Sequence, residues 1–253
     1  MKLFFRDLGG SGKPLVIMHG LFGSSKNWIT NGKTLSSIRK VYALDLRNHG
    51  DSPHSDSHTL DDLVEDLNEF IVSLPEKPDI MGHSMGGMVA SMFALKNSEK
   101  INKLIVVDIA PRTYPVRFGL EFDALQIDVS LFNSRDEIDK KMAGIVPDPF
   151  IRQFLQMNLE KIETGYRWKL NVKALKEGRT ALTFKSESLL PFKGRSLFLL
   201  GGKSEYIVPG DIEIIQNLFP NSKIYTIPEA GHYLHYLNAE EFLRQTTLFL
   251  SET

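Results

Sequence analysis

Short apolar runs bounded by turn residues recur along the first half of the chain. Leu15-Val16-Ile17-Met18 follows Pro14 and stops at Gly20. Val41-Tyr42-Ala43-Leu44 stops at Asp45, Ile80-Met81 ends in Gly82, and Lys103-Leu104-Ile105-Val106-Val107 runs into Asp108. After a long gap come Leu197-Phe198-Leu199-Leu200, stopped by Gly201-Gly202, and Ile224-Tyr225-Thr226-Ile227, stopped by Pro228. Runs this short and this rich in aliphatic residues read as strands buried on both faces. Helix-length segments separate them. The clearest helix lies within 59–74, where Leu60, Leu63, Val64, Leu67, Ile71 and Leu74 share one helical face. Thr59 is placed to cap it, and Asp61 and Asp62 sit where the helix dipole favours acids. Residues 85–96 and 239–250 read as helices too. Strands alternating with helices predict an α/β fold with a mostly parallel, doubly wound sheet.

Between Pro111 and Pro191 the pattern changes. The segment is rich in charge and in Phe, Leu and Met, with helical spacings such as Phe150, Phe154, Met157 and Ile162, and it shows no convincing parallel-strand run. A single crossover needs far fewer residues. The expectation is therefore a core of residues 1–111 and 191–253, with 112–190 inserted as a helical cap over the sheet edge.

Composition narrows the function classes. A chain of 253 residues suits one domain with an insertion. Thirty basic residues against 31 acidic give a net charge of −1, which offers no footprint for nucleic acid. Cysteine is absent, so disulfides, thiolate metal sites and a thiol nucleophile are excluded. No apolar run approaches the roughly 18 residues of a membrane span, and the N-terminal apolar stretch is too short for a signal-peptide core. A soluble, cytoplasmic protein is expected.

Gly82-His83-Ser84-Met85-Gly86 has the form G-x-S-x-G, with a strand-like run before it and a helix after it. In that setting the serine occupies a strained elbow and projects its hydroxyl, and the glycines admit the tight turn. A serine hydroxyl needs a base. Of seven histidines, His232 stands in the turn after the last strand-like run, at the end of the sheet where α/β proteins place their ligands. His83 should point away from Ser84, His235 should start a helix or face solvent, and His54 and His58 should be solvated in a polar loop.

These residues resemble the α/β-hydrolase superfamily. The resemblance covers nearly the whole chain and rests on His19-Gly20-Leu21-Phe22-Gly23-Ser24, Asp45-Leu46-Arg47-Asn48-His49-Gly50-Asp51-Ser52, Gly82–Gly87 and Gly231-His232. More narrowly, Arg47-Asn48-His49-Gly50, Ser52-Pro53-His54 and Val107-Asp108-Ile109-Ala110-Pro111 are similar to YbfF-like esterases and their mitochondrial abhydrolase relatives. The resemblance implies hydrolysis of carboxylic esters, and sometimes acyl-thioesters, and a helical cap between the sixth and seventh core strands.

It also implies an oxyanion site. One donor is the N–H of Met85, at a helix N-terminus; the other is the N–H of Leu21 or Phe22, between which the sequence does not choose. The third triad member has two candidates. The superfamily's usual acid position falls in Gly201–Pro209, where the expected Asp is missing and Glu205 stands close by. Asp108 ends a buried strand, and YbfF-like esterases resemble this chain in using such an Asp. Asp108 is preferred, with Glu205 in reserve. Asp45 should brace the loop 47–52. The expected protein is a serine hydrolase acting on a small-molecule ester through an acyl-enzyme, with no metal and no cofactor. Carbon–carbon hydrolases, cofactor-free haloperoxidases and a ligand receptor without turnover share the same residues. Phe22, Trp28, Phe118, Phe122, Phe150, Phe154 and Trp168 are candidates to line an apolar pocket.

Overall fold

A computed structural model describes residues 1–115, 118–178 and 180–252. The chain runs β1 (Phe5–Gly9), β2 (Pro14–Met18), α1 (Ile29–Leu35), β3 (Lys40–Leu44), α2 (Leu60–Val72), β4 (Asp79–His83), α3 (Met85–Lys96) and β5 (Lys103–Val107). It leaves the sheet for α4 (Gly119–Ala124), α5 (Arg135–Ala143), α6 (Pro149–Gln156), β6 (Leu159–Ile162), β7 (Gly165–Trp168) and α7 (Val172–Gly178). It returns for β8 (Arg195–Gly201), α8 (Asp211–Leu218), β9 (Ser222–Ile227), α9 (Leu234–Leu237) and α10 (Ala239–Ser251).

Seven strands form one sheet in the order β1-β3-β2-β4-β5-β8-β9. All pairs are parallel except β1 with β3. Six of the strands are the six apolar runs of the sequence. Strand period two divides their side chains between two cores. Val16, Met18, Leu104, Val106, Phe198 and Leu200 face the layer holding α2, α3 and α8. Leu15, Ile17, Ile105, Val107, Leu197 and Leu199 face the layer holding α1 and α10, with Trp28 and Phe242. Helix α2 starts as expected. The Thr59 hydroxyl accepts from Asp62 N–H at 3.1 Å, and the Asp62 carboxylate accepts from Thr59 N–H at 3.2 Å.

Two features differ from the sequence reading. The edge strand β1 was not expected, because Phe5-Arg6-Asp7-Leu8-Gly9 is half exposed and lacks an apolar run. The segment between β5 and β8 is not purely helical: β6 and β7 form an antiparallel hairpin in which Leu159 pairs with Trp168 and Ile162 with Gly165. That segment leaves after the fifth strand of this sheet, one strand earlier than the resemblance implied, because a single strand precedes the parallel set. It builds its own apolar cluster, including Phe122, Ile138, Met142, Leu155, Leu159 and Leu175, and Phe22 of the sheet side joins it. Among the described residues, no helix is long and apolar enough to cross a membrane.

Candidate active site

Ser84 sits between β4 and α3 with φ 50° and ψ −119°. This left-handed backbone is costly for a residue with a Cβ and is sustained only where the surroundings over-determine it. Here the Ser84 N–H donates to Val107 O at 3.0 Å, and the glycines on either side leave the room. A Cβ on Gly82 would lie 2.1 Å from Gly86 O, and one on Gly86 would lie 2.6 Å from His19 O. Met85 is the first residue of α3, so its N–H is among those the helix leaves unpaired.

His232 follows β9, and its Nδ1 lies 2.7 Å from Asp108 Oδ2. Asp108 is fully buried at the end of β5. Its Oδ1 accepts from Gly201 N–H at 2.7 Å, and its Oδ2 also accepts from the Ser204 hydroxyl. With the carboxylate ionised, Nδ1 carries the proton and Nε2 is the acceptor nitrogen. Asp108 is thus the acid that meets His232; Glu205 is exposed. Two neighbours of Glu205 matter instead, and sequence reasoning missed both. Ser204 holds the carboxylate, and the ring of Tyr206 stacks on the imidazole at 3.7 Å and 15°. The Tyr206 carbonyl accepts from Tyr114 OH at 3.1 Å and from Arg112 Nη2 at 3.3 Å, while Arg112 pairs with the buried Asp211 at 2.6 Å. No spacing in the sequence marks these contacts; only the fold brings them together.

The turn after β2 presents Leu21 and Phe22. Gly20 O accepts from Gly23 N–H at 2.9 Å and from the His19 ring at 2.7 Å. Phe22 has φ 63°, and its N–H is already engaged by His49 Nε2 at 3.2 Å. Asp45 braces the neighbouring loop as expected, accepting from Ser25 N–H at 2.6 Å and Asp51 N–H at 2.8 Å.

One histidine expectation is corrected and one is resolved: His235 stands at the start of α9, as one of its two readings had it, and does not face solvent. His58 is buried rather than solvated, packed against His49, and burial beside Arg47 lowers its pKa to about 4. His235 is buried under Trp28, whose ring stacks on it at 4.6 Å, and burial lowers its pKa to about 3. His83 is also buried and held well below its ordinary pKa by desolvation. Its Nε2 lies 2.9 Å from the carbonyl of His232. His54 is exposed.

Ser84, His83 and His232 line one narrow cleft of about 20 Å³ with Leu21, Phe22 and Phe154. It has room for little more than a water molecule. Two chambers share its walls. One of about 230 Å³ shares Phe154 and Tyr233 and adds Phe150, Met157 and Tyr236. The other, about 70 Å³, shares Leu21, Ser84 and Phe118 and adds Met85, Met88 and Ile109. Of the candidate pocket aromatics, Phe22, Phe118, Phe150 and Phe154 therefore face cavities. Trp28 belongs to the sheet core, and Phe122 and Trp168 to the cluster of the inserted segment. Among the described residues, no group of three or more histidines and carboxylates is arranged to hold a metal ion.

A strand-to-helix elbow carrying a serine, with a carboxylate-bound histidine beside it, is the arrangement of the α/β-hydrolase fold. Residues 13–239 match the family model described by that name, and the chain belongs to this family. It is 34% identical over 247 residues to the mouse (Mus musculus) sn-1-specific diacylglycerol lipase ABHD11, covering 94% of this chain and 80% of the relative. Against the Danio rerio protein of the same name it is 35% identical over 254 residues, covering 96% and 80%. A solved structure described as a marine microorganism esterase is 39% identical and superposes with a TM-score of 0.93, covering 98% of this chain and 99% of the other.

Proposed function

We propose that this protein is a serine ester hydrolase that works through an acyl-enzyme. The observation that carries the reading is the buried Asp108 carboxylate bonded to His232 Nδ1, with Ser84 and His232 lining the same cleft. Named relatives that are lipases and esterases support it.

Ser84 Oγ attacks the ester carbonyl while His232 Nε2 takes its proton. Asp108 fixes the tautomer and stabilises the imidazolium that forms. The oxyanion is held by the amides of Leu21 and Met85. Phe22 N–H is spoken for by His49, so Leu21 is the better partner of the two. His232 then protonates the leaving alcohol and activates the water that releases the acid.

The substrate reading follows from the walls. The cleft and both chambers are lined mainly by aromatic and aliphatic side chains, which suit an ester with an apolar acyl chain. An engineered cavity of about 150 Å³ holds benzene, so the 230 Å³ chamber has room for a larger apolar group. Residues 112–190 act as the cap over this site, because Phe118, Phe150 and Phe154 enter its walls from that segment.

Labelling with a fluorophosphonate tests the mechanism. An activated Ser84 is modified rapidly, and Ser84→Ala abolishes both labelling and nitrophenyl ester hydrolysis. A wild-type protein that binds esters but resists the label would instead be a receptor without turnover.

A further inference from the structure

The Phe22 backbone is gripped from two sides. Its N–H donates to His49 Nε2 at 3.2 Å, and its carbonyl accepts from Asn158 Nδ2 at 2.7 Å. Both partners are buried, at 0% and 3% exposure. His49 comes from the loop after β3. Its Nδ1 is 2.8 Å from Arg47 O, which makes Nδ1 the donor and leaves Nε2 as the acceptor for Phe22. Asn158 comes from the segment between β5 and β8, just ahead of β6, and its amide also donates to Leu155 O at 3.1 Å.

The Gly20–Leu21 peptide carries the Leu21 N–H. In a trans peptide the carbonyl and the N–H point in opposite directions. The Gly20 carbonyl is held by Gly23 N–H and the His19 ring, so Leu21 N–H is turned to the other side. Ser84 is close: a Cβ on Gly20 would lie 3.1 Å from the Ser84 Cβ. Phe22 itself has a left-handed φ of 63°, which an L-residue keeps only under restraint. The two bonds to Phe22 supply that restraint.

We propose that His49 and Asn158 are positioning residues that clamp Phe22 and so hold Leu21 N–H in place for the oxyanion. Through Asn158 the seating of the inserted segment is read directly at the amide that stabilises the transition state. The proposal rests on the serine-hydrolase reading above.

The test compares Asn158→Ala with Asn171→Ala. Asn171 also ties the segment to the core, through Asn48 at 3.1 Å and Ser55 O at 3.0 Å, but it makes no bond to Phe22. Misplacing a catalytic group by about 1 Å costs roughly 10²-fold, and losing an oxyanion donor costs ~10²–10³. Asn158→Ala should lower kcat by ~10- to 100-fold with KM within about twofold. Affinity for an alkyl boronate, which is tetrahedral on serine, should fall by the same factor. Asn171→Ala should keep both within about threefold. His49→Leu removes the acceptor for Phe22 N–H and should resemble Asn158→Ala; if it does not fold, by circular dichroism, Asn158→Ala decides alone. The clamp is overturned if Asn158→Ala raises KM instead of lowering kcat, leaves boronate affinity intact, or is matched by Asn171→Ala. A wild-type protein without esterase activity or Ser84 labelling overturns the function reading itself, a separate outcome.

Discussion

Six of the seven histidines stand in two packed groups, and the groups differ in one member: five of the six are buried, and His232 is partly exposed. On one side of the cleft, His83 packs between His232 and His235, with ring centroids 4.6 and 4.2 Å away. On the other, His49 packs between His19 and His58, at 4.8 and 5.7 Å. In the second group the rings bond to main-chain groups or to an amide. His19 serves Gly20 O and Leu46 N–H, His49 serves Arg47 O and Phe22 N–H, and His58 faces the Asn48 amide. Burial holds all three below the ordinary imidazole pKa. His232 differs by one contact, the carboxylate of Asp108 on Nδ1. In the proposed mechanism that contact is what makes His232 the base, because a buried carboxylate can stabilise its charged form and a cleft gives it a substrate. An imidazole without these is a neutral strut.

The largest expected effects lie on the His232 side. Ser84→Ala should lower ester hydrolysis by at least ~10³-fold with the fold intact, since only positioning and oxyanion donors remain. Asp108→Asn should cost up to ~10⁴ in kcat, because an amide holds the ring but carries no charge. Glu205→Gln should stay within about twofold. Steady-state kinetics on one nitrophenyl ester measure all three. A crippled Glu205→Gln beside an active Asp108→Asn would reverse the acid assignment and dissolve the distinction drawn between the two histidine groups.

Smaller effects sharpen the same side. Tyr206→Ala removes the ring stacked on His232. Such cation–aromatic contacts contribute ~0.5–2 kcal/mol, so kcat should fall by a few-fold to ~30-fold with KM little changed. Tyr206→Phe keeps the stack and should keep most of the rate. Equal losses in both variants would mean that the hydroxyl, and not the stack, supports the base. In the cavities, Phe154→Ala should shift the preferred acyl chain toward greater length, because that ring divides the cleft from the larger chamber. Trp168→Ala should leave the chain-length profile unchanged, since its indole donates to Ile127 O within the segment's own cluster. A panel of nitrophenyl esters from acetate to decanoate decides; matching shifts in both variants would put Trp168 at the pocket after all.

What could be read beforehand followed burial and local motif. The six parallel strands were legible because each carries a short apolar run; β2, β4 and β5 are buried on both faces, while β9, at the sheet edge, is only partly buried. Strand β1 and the β6–β7 hairpin were not, because Phe5–Gly9, Leu159–Ile162 and Gly165–Trp168 are short and mix exposed charges with apolar residues. Ser84 stood out through its elbow, and His232 and Asp108 through their places at strand ends. Ser204, Tyr206, His49 and Asn158 were silent as candidates, since each reaches the site only by a contact across the fold. His58 was misread because a polar neighbourhood in sequence says little about what packs over a side chain. His58 is covered from α7, where a Cβ on Gly178 would come within 2.7 Å of its own Cβ.

The smallest expected effect tests the neutral group through stability. His58 has its pKa lowered to about 4 by burial and by Arg47, against about 6.5 in the unfolded chain. Above pH 6.5 both states are neutral, and the histidine adds no pH dependence. As pH falls below 6.5 the unfolded chain binds a proton that the native state refuses, so stability is lost progressively until about pH 4. His58→Gln removes this loss. Urea unfolding at pH 7, 6, 5 and 4.5 should therefore show wild type losing stability faster than the variant, by at most ~1.4 kcal/mol per pH unit for one proton. His235→Gln should show the same sign over a window reaching lower, toward pH 3. Parallel stability curves for wild type and His58→Gln would mean that His58 takes up its proton in the folded state. The group around His49 would then not be the set of neutral struts that separates it from His232.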